Sequence, residues 1–297
     1  MKRVLVTGAA GQVGAAVAAQ LRGSWEVIAH DRASLDLADP ARIAAVVAEA
    51  RPDVIVNAGA YTAVDRAESD AQAALAANSL APGAIGIAAK HVGALVVHFS
   101  TDYVFDGTKP GPYVESDPPK PVSVYGASKL TGERALAASG AAHVILRTSW
   151  VYAPRGRNFL LTMLNAAKTR DEVRVVDDQH GAPTSALQLA RATQALLAQS
   201  GHALRAGAGV YHCTAAGEVT WCGFARAIYQ RWSKLKPDFR APRVVAIPSS
   251  EYPTPVKRPV NSRLSNAKLR DTFGISLEPW EQALDETLEA LAFSARP

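Results

Sequence analysis

Arg3-Val4-Leu5-Val6-Thr7-Gly8-Ala9-Ala10-Gly11-Gln12-Val13-Gly14 is the stretch on which the fold turns. A short β-branched and apolar run ends in glycines, and an Ala-rich segment with helical spacing follows. A strand that empties through glycines into a helix opens a dinucleotide-binding βαβ unit. The glycines permit a tight turn and let backbone N–H groups approach a pyrophosphate, whose charge is favoured at a helix N-terminus. The spacing is G-x-x-G-x-x-G and not G-x-G-x-x-G, so its place after the first strand carries more weight than the pattern. Gly8, Gly11, Gln12, Val13 and Gly14 are therefore the candidate phosphate-loop residues.

The same rhythm continues outward from this loop. Further strands are predicted over 25–30, 53–57, 95–100 and 143–147, and helices over 12–22, 40–50, 71–92 and 124–139. Asp39-Pro40 reads as an N-cap followed by a first helical position, where the N–H that proline lacks would be unpaired anyway. Strands apolar on both faces, alternating with helices, predict an α/β fold with a doubly wound parallel sheet, Rossmann-like. Beyond Arg147 the rhythm loosens. Helices are expected over 158–169, 184–199, 219–235, 265–272 and 279–293, extended segments over 173–176 and 209–213, and a proline-rich connection over 237–259. The expected division is a dinucleotide-binding domain at 1–150 and a smaller mixed α/β substrate lobe at 151–297, some of whose segments return to the first domain.

Composition narrows the function classes. With 297 residues, 48% of them hydrophobic, the chain can bury a large core and is not a disordered protein. The formal charge is +5, but the Arg and Lys residues form no run and no aromatic interleaving, so nucleic acid is not an expected partner. No stretch approaches the roughly 18 apolar residues of a membrane span, and no signal segment is read at the start, which predicts a cytoplasmic protein without a membrane partner. Cys213 and Cys222 are the only cysteines, too few for a disulfide framework, and are read as small buried fillers.

Tyr125 and Lys129 stand four apart in a predicted helix and share a face. Thr101 follows the fourth strand, at the sheet rim where such folds hold ligands. A ketone that accepts a hydride becomes an alkoxide and needs a proton. A tyrosine supplies it if a nearby ammonium lowers the phenol from about 10 toward neutrality, and a threonine hydroxyl can bond the same oxygen. Asp31, at the end of the second strand, suits an adenine ribose hydroxyl or is a plain turn residue; Arg32 beside it suits a 2′-phosphate. NADPH or NADH is thus the expected cofactor.

The glycine loop, Thr101 and Tyr125-x-x-x-Lys129 resemble the extended short-chain dehydrogenase/reductase family. Longer strings bring the resemblance to its branch acting on dTDP-sugars: Asn57-Ala58-Gly59-Ala60-Tyr61-Thr62-Ala63-Val64-Asp65, Ser100-Thr101-Asp102-Tyr103-Val104-Phe105-Asp106-Gly107, Arg147-Thr148-Ser149-Trp150-Val151-Tyr152, Asp178-Gln179-His180-Gly181-Ala182-Pro183-Thr184 and Arg258-Pro259-x-Asn261-Ser262-Arg263-Leu264. The resemblance covers nearly the whole chain. It implies reduction of the C4 ketone of dTDP-4-dehydro-L-rhamnose to dTDP-L-rhamnose by NADPH or NADH. Tyr125 would be the proton donor, Lys129 its helper and a ribose ligand, and Thr101 the third member of the set. Gly11, Gln12 and Val13 would meet the pyrophosphate, Asp31 the adenosine, Asp36 and Leu37 the adenine edge, while Ala60, Tyr61 and Thr62 line the cofactor. Thr101, Asp102 and Trp150 would touch the substrate, although Trp150 also reads as an ordinary core tryptophan. Lys257 or Arg258 is a candidate for the nucleotide diphosphate, Arg258 the better because its guanidinium fork fits two oxygens at once, or each is a solvated charge; His180 is a substrate contact or a loop histidine.

One departure stands out. Some family members pair around Mg²⁺ held by glutamates soon after the glycine loop and soon after the Gly-Ala-Pro-Thr string. Here those places read Ala15-Ala16 and Ala186-Leu187, without a hard carboxylate ligand. No metal and a monomer or weak homodimer are expected. Two other functions stay open: a reductase or epimerase of another deoxysugar nucleotide, and a non-catalytic NADP-binding regulatory subunit like the β subunit of methionine adenosyltransferase. An intact Thr101, Tyr125 and Lys129 counts against the second.

Overall fold

The computed structural model describes residues 1–294. The first half runs β1 (Arg3–Thr7), α1 (Gln12–Leu21), β2 (Glu26–His30), α2 (Pro40–Ala50), β3 (Val54–Asn57), α3 (Val64–Ala67), α4 (Ala71–Leu75), α5 (Ala81–Val92), β4 (Leu95–Thr101), α6 (Val124–Ala138) and β5 (His143–Thr148). The second half adds β6 (Val151–Tyr152), α7 (Phe159–Ala166), β7 (Glu172–Val176), β8 (His180–Gly181), β9 (Thr184–Ser185), α8 (Ala186–Leu197), α9 (Gly201–Ala206), β10 (Gly209–His212), β11 (Val219–Thr220), α10 (Trp221–Leu235), β12 (Arg243–Ile247), α11 (Ala267–Phe273) and α12 (Trp280–Ser294).

Six strands form one parallel sheet in the order β10-β5-β4-β3-β1-β2. Alternation along each strand sends Val4 and Val6 to one core and Leu5 to the other, so both faces are covered. The strand order reverses between β1 and β3, and ligands of doubly wound sheets lie outside the strand ends at such a point. The Asp39 carboxylate accepts from the Arg42 amide, capping α2 as the Asp-Pro pair predicts.

Three expectations are corrected. The helix expected over 71–92 is interrupted by a π-helical turn at Ala76–Leu80. Pro82 has no N–H to donate to the Asn78 carbonyl four residues earlier, and the chain widens there. The proline-rich connection over 237–259 contains a strand: between Pro242 and Pro248, Val244, Val245 and Ile247 carry β12 into parallel pairing with β7. Helices expected to begin at Thr184 and Val219 begin two residues later, because those residues pair in short ladders, and Ser185 and Thr220 become N-caps.

Distant segments cross between the halves. β10 joins the edge of the main sheet beside β5, and α8 lies along α1, where Gln20 donates to Gln194 at 2.7 Å. A separate core gathers Tyr152, Leu160, Phe224, Trp280, Leu284 and Leu288 from β6, α7, α10 and α12. Residues 295–297 of the expected second lobe lie outside the described residues. Among the described residues, no helix is long and apolar enough to cross a membrane.

Candidate active site

β1 delivers the chain to Gly8, whose φ is +66° and whose missing Cβ would stand 2.6 Å from the Gly59 Cα. The loops after β1 and β3 therefore touch backbone to backbone, a contact only glycine permits. Gly11 is the N-cap of α1 and no side chain caps the helix, so its first-turn N–H groups face outward with the positive end of the helix dipole. The residues fit a pyrophosphate. The Gln12 side chain is held by Asn158, which donates to Oε1 at 2.8 Å, so what Gln12 offers at this helix end is its backbone N–H. Val13 leans on the main core.

Asp31 follows β2, and its Oδ1 accepts from the Ser34 amide and hydroxyl, both at 2.9 Å. These bonds close a turn, lower the carboxyl pKa and leave Oδ2 free of them. Asp36 is exposed and accepts from Ala38, while the Leu37 side chain turns into the core beside Gly59. Past β3, Ala60, Tyr61 and Thr62 run along the same rim. Tyr61 is clasped by Asn78, whose side chain accepts from its amide at 2.9 Å and donates to its carbonyl at 3.0 Å. The Asn78 amide also donates to Ser128 on α6. Asn78 thus ties the cofactor-side loop to the helix of Tyr125 and Lys129. Nothing singled it out in the sequence, although Pro82 four residues on was the available signal.

Thr101 ends β4 and α6 begins at the Ser123 cap, packed so closely on the 102–104 turn that a Cβ at Gly126 would collide with the Tyr103 carbonyl oxygen. This approach brings the strand end and the helix together. The Thr101 hydroxyl donates to Asp102 Oδ1 at 3.0 Å and accepts from the Tyr103 amide. Tyr125 stands edge-on to Tyr103, ring centroids 5.7 Å apart. Burial pushes the Tyr125 phenol up to about 12, with hydrogen bonding to Thr101 acting in the opposite sense. Lys129 is 2% exposed, and its ammonium donates to the Phe99 carbonyl at 2.6 Å. Burial lowers its pKa to about 8, and Glu133 opposes that shift. The expected depression of the phenol by the ammonium is corrected here: Lys129 is engaged by the β4 backbone, and desolvation governs Tyr125.

Asp102 is also buried, which raises it to about 6 against hydrogen bonds from Ser262 and Thr101; its Oδ2 has no partner. Ser262 belongs to the Arg258–Leu264 string, which returns along this rim. Pro259 closes on Gly107, and the His180 amide donates to the Val260 carbonyl. Arg258 pairs with Asp65 at 3.0 Å, joining residues 193 apart in sequence. Lys257 is exposed. His180 is placed by its backbone in β8, within the antiparallel ladder to β11.

Trp150 adopts a left-handed backbone conformation, φ +50°, unusual for a bulky residue. Its ring stacks on Trp221 at 3.5 Å and covers Gly181, where a Cβ would strike the indole. A strained aromatic held in place by its surroundings is a common mark of a ligand site. Trp221 was not singled out in the sequence, because only folding brings α10 to the end of β5.

The two places relevant to Mg²⁺ meet in space. Ala15, Ala16, Ala186 and Leu187 line a cavity of about 430 Å³ with Glu286, away from Thr101, Tyr125 and Lys129. Glu286 is paired with Arg191, and these side chains do not fit a hard divalent ion.

A parallel sheet with a glycine loop at its switch point and a Thr-Tyr-Lys set on its rim defines a dinucleotide-dependent oxidoreductase of the short-chain dehydrogenase/reductase class. Comparison with known proteins narrows this. The family model described as the RmlD substrate binding domain matches residues 1–293, and the chain belongs to that family. A dTDP-4-dehydrorhamnose reductase of Burkholderia thailandensis is 50% identical over 95% of this chain and 96% of its own length. The protein of the same name from Escherichia coli is 41% identical over 97% of each. Among solved structures, the dTDP-4-dehydrorhamnose reductase of Clostridium acetobutylicum superposes with TM-score 0.90 at 37% identity, covering 97% of this chain and 99% of that one. That of Bacillus anthracis, in complex with NADP, also gives 0.90, at 32% identity over 98% and 100%.

Proposed function

We propose that this chain reduces the C4 ketone of dTDP-4-dehydro-L-rhamnose to dTDP-L-rhamnose, using NADPH or NADH, with Tyr125 as the acid. The observation that carries the site assignment is the meeting of Thr101, Tyr125 and Asp102 on one rim with the returning Arg258–Leu264 segment. When bound, the reduced nicotinamide supplies the hydride accepted by the carbonyl carbon. A phenol near 12 stays protonated across the working pH range, and an alkoxide is a far stronger base, so the proton moves downhill from Tyr125 without a depressed pKa. The Thr101 hydroxyl donates its one hydrogen bond to ionised Asp102, leaving its oxygen to accept from Tyr125 and aim the phenol. Lys129 adds positive charge on the same helix face as phenolate develops, and the one ammonium proton not taken by the Phe99 carbonyl and His98 would serve the nicotinamide ribose.

The N–H groups at Gly11, Gln12 and Val13 would hold the pyrophosphate, Asp31 Oδ2 an adenosine hydroxyl and Arg32 a 2′-phosphate. Asp36, the backbone at Leu37, and Ala60, Tyr61 and Thr62 would border the cofactor. Asp102 and Trp150 would contact the sugar, and Arg258 the diphosphate. In this division residues 1–150 serve the cofactor and 151–297 mainly the substrate, with α8 and β10 returned to the first unit. Two buried free thiols suit a reducing compartment, which we take to be the cytoplasm.

Cofactor absorbance followed with this sugar nucleotide tests the function. Tyr125→Phe loses at least about a hundredfold in kcat, and normal turnover by that variant overturns the acid assignment. Competing sugar nucleotides separate this substrate from other deoxysugars. The protein is expected to be a metal-free monomer or weak homodimer; a dimer in sedimentation that EDTA dissociates refutes this.

A further inference from the structure

Behind Lys129 runs a line of buried polar side chains that the proton transfer above leaves unused. His98 on β4 is 1% exposed, Asn57 at the end of β3 is 0% and Thr7 at the end of β1 is 1%. Lys129 Nζ lies 3.4 Å from His98 Nε2, His98 Nδ1 lies 3.0 Å from the Asn57 side-chain amide, and that amide lies 2.7 Å from Thr7 Oγ1. Thr7 Oγ1 also accepts from the Gly59 amide at 3.4 Å, under the contact between the two glycine turns. Three adjacent strands thus place polar groups where apolar ones would pack without a desolvation cost.

Counting donors and acceptors leaves this line two states. His98 stays neutral, because burial and the charges of Lys129 and His143 oppose a second proton. An ammonium has three donors and no acceptor. With Lys129 charged, the Phe99 carbonyl takes one proton and His98 Nε2 must be the bare nitrogen. Nδ1–H then donates to the Asn57 oxygen, and the Asn57 NH₂ faces Thr7. With Lys129 neutral, its lone pair accepts from Nε2–H, Nδ1 accepts from the Asn57 NH₂, and Thr7 donates to the Asn57 oxygen. A tautomer exchange and an amide flip separate the two, and both orientations occupy the same volume.

We propose that His98, backed by Asn57, is a positioning residue that gives Lys129 a matched partner in both of its protonation states, keeping its side chain in place while its charge changes. This rests on the assignment of Tyr125 and Lys129 above. The other titratable groups facing the pair are Glu133 on α6, bound by Arg147 of β5 and Ser100 of β4, and His143 of β5.

Nitrogen-15 NMR of the His98 ring in the unaltered protein, from pH 6 to pH 10, tests the tautomer exchange directly. The expected result is a neutral ring throughout, Nδ1–H at low pH and Nε2–H at high pH, with its midpoint on the alkaline limb of the kcat profile. In His98→Leu the ammonium loses an acceptor, and that limb moves toward acid by about one pH unit. His98→Gln, whose carboxamide oxygen accepts from an ammonium, brings it most of the way back. A ring that protonates near pH 6.5, a tautomer unchanged across the range, or a limb unmoved in His98→Leu overturns the proposal. Lys129→Met separates the two levels. Wild-type turnover in that variant brings down the lysine assignment and this proposal with it, whereas an inactive Lys129→Met beside an unmoved limb in His98→Leu removes only the role of His98.

Discussion

Asp102 gives the sharpest link between the site and the stability of the whole chain. Its carboxyl is 4% exposed, accepts from Thr101 at 3.0 Å through Oδ1, and has no partner at Oδ2. Burial raises it to about 6 from an ordinary 3.8. A raised carboxyl pKa means the folded state binds the proton more tightly than the unfolded chain. Its stabilising contribution is therefore complete below about pH 4 and is lost as the pH climbs through 6. A gap of about two pH units corresponds to about 3 kcal/mol. Asp102→Asn keeps the shape and removes the titration, while all other carboxylates cancel between the two proteins. Relative to the wild type, the variant should gain about 2.5 kcal/mol of stability between pH 4 and pH 8, the rest having been lost by pH 4. Urea unfolding of both proteins at the two pH values, extrapolated linearly to water, measures this difference. The same variant should turn over more slowly, because Thr101 loses its ionised acceptor. A stability difference that stays constant from pH 4 to pH 8, or that moves in favour of the wild type, refutes the argument.

Other expectations are more local. Gly14→Ala places a Cβ inside the radius of the Gly8 carbonyl oxygen, a backbone atom that cannot swing aside; it should weaken NADPH binding roughly 10- to 100-fold, read by tryptophan fluorescence titration, and an unchanged Kd counts against the phosphate loop. Glu133→Ala strands the buried Arg147, whose Nε and Nη2 reach the carboxylate at 2.9 and 2.7 Å. That should cost about 3–5 kcal/mol in chemical denaturation, and a loss below 1 kcal/mol would show the guanidinium finding other partners.

Local chemistry wrote much of this protein plainly. The β1 run, the glycines after it and the Asp39-Pro40 cap are short-range patterns, and they appear where the sequence predicts them. Tyr125 and Lys129 occupy one helix because a spacing of four is itself helical geometry. Tertiary structure decided the rest. Pairing with β7 made a strand of Arg243–Ile247, five residues inside a stretch whose prolines read as a connection, and pairing with β5 set the extended segment at Gly209–His212 on the edge of the main sheet. Leu37 turned inward because the core beside Gly59 had room for it. The acidities of Tyr125, Lys129 and Asp102 follow from how much water folding removes around each, and no order of residues records that. Spacing along a chain sets which groups share a face, whereas desolvation and pairing depend on what arrives from far away in sequence, as Ser262 does at Asp102.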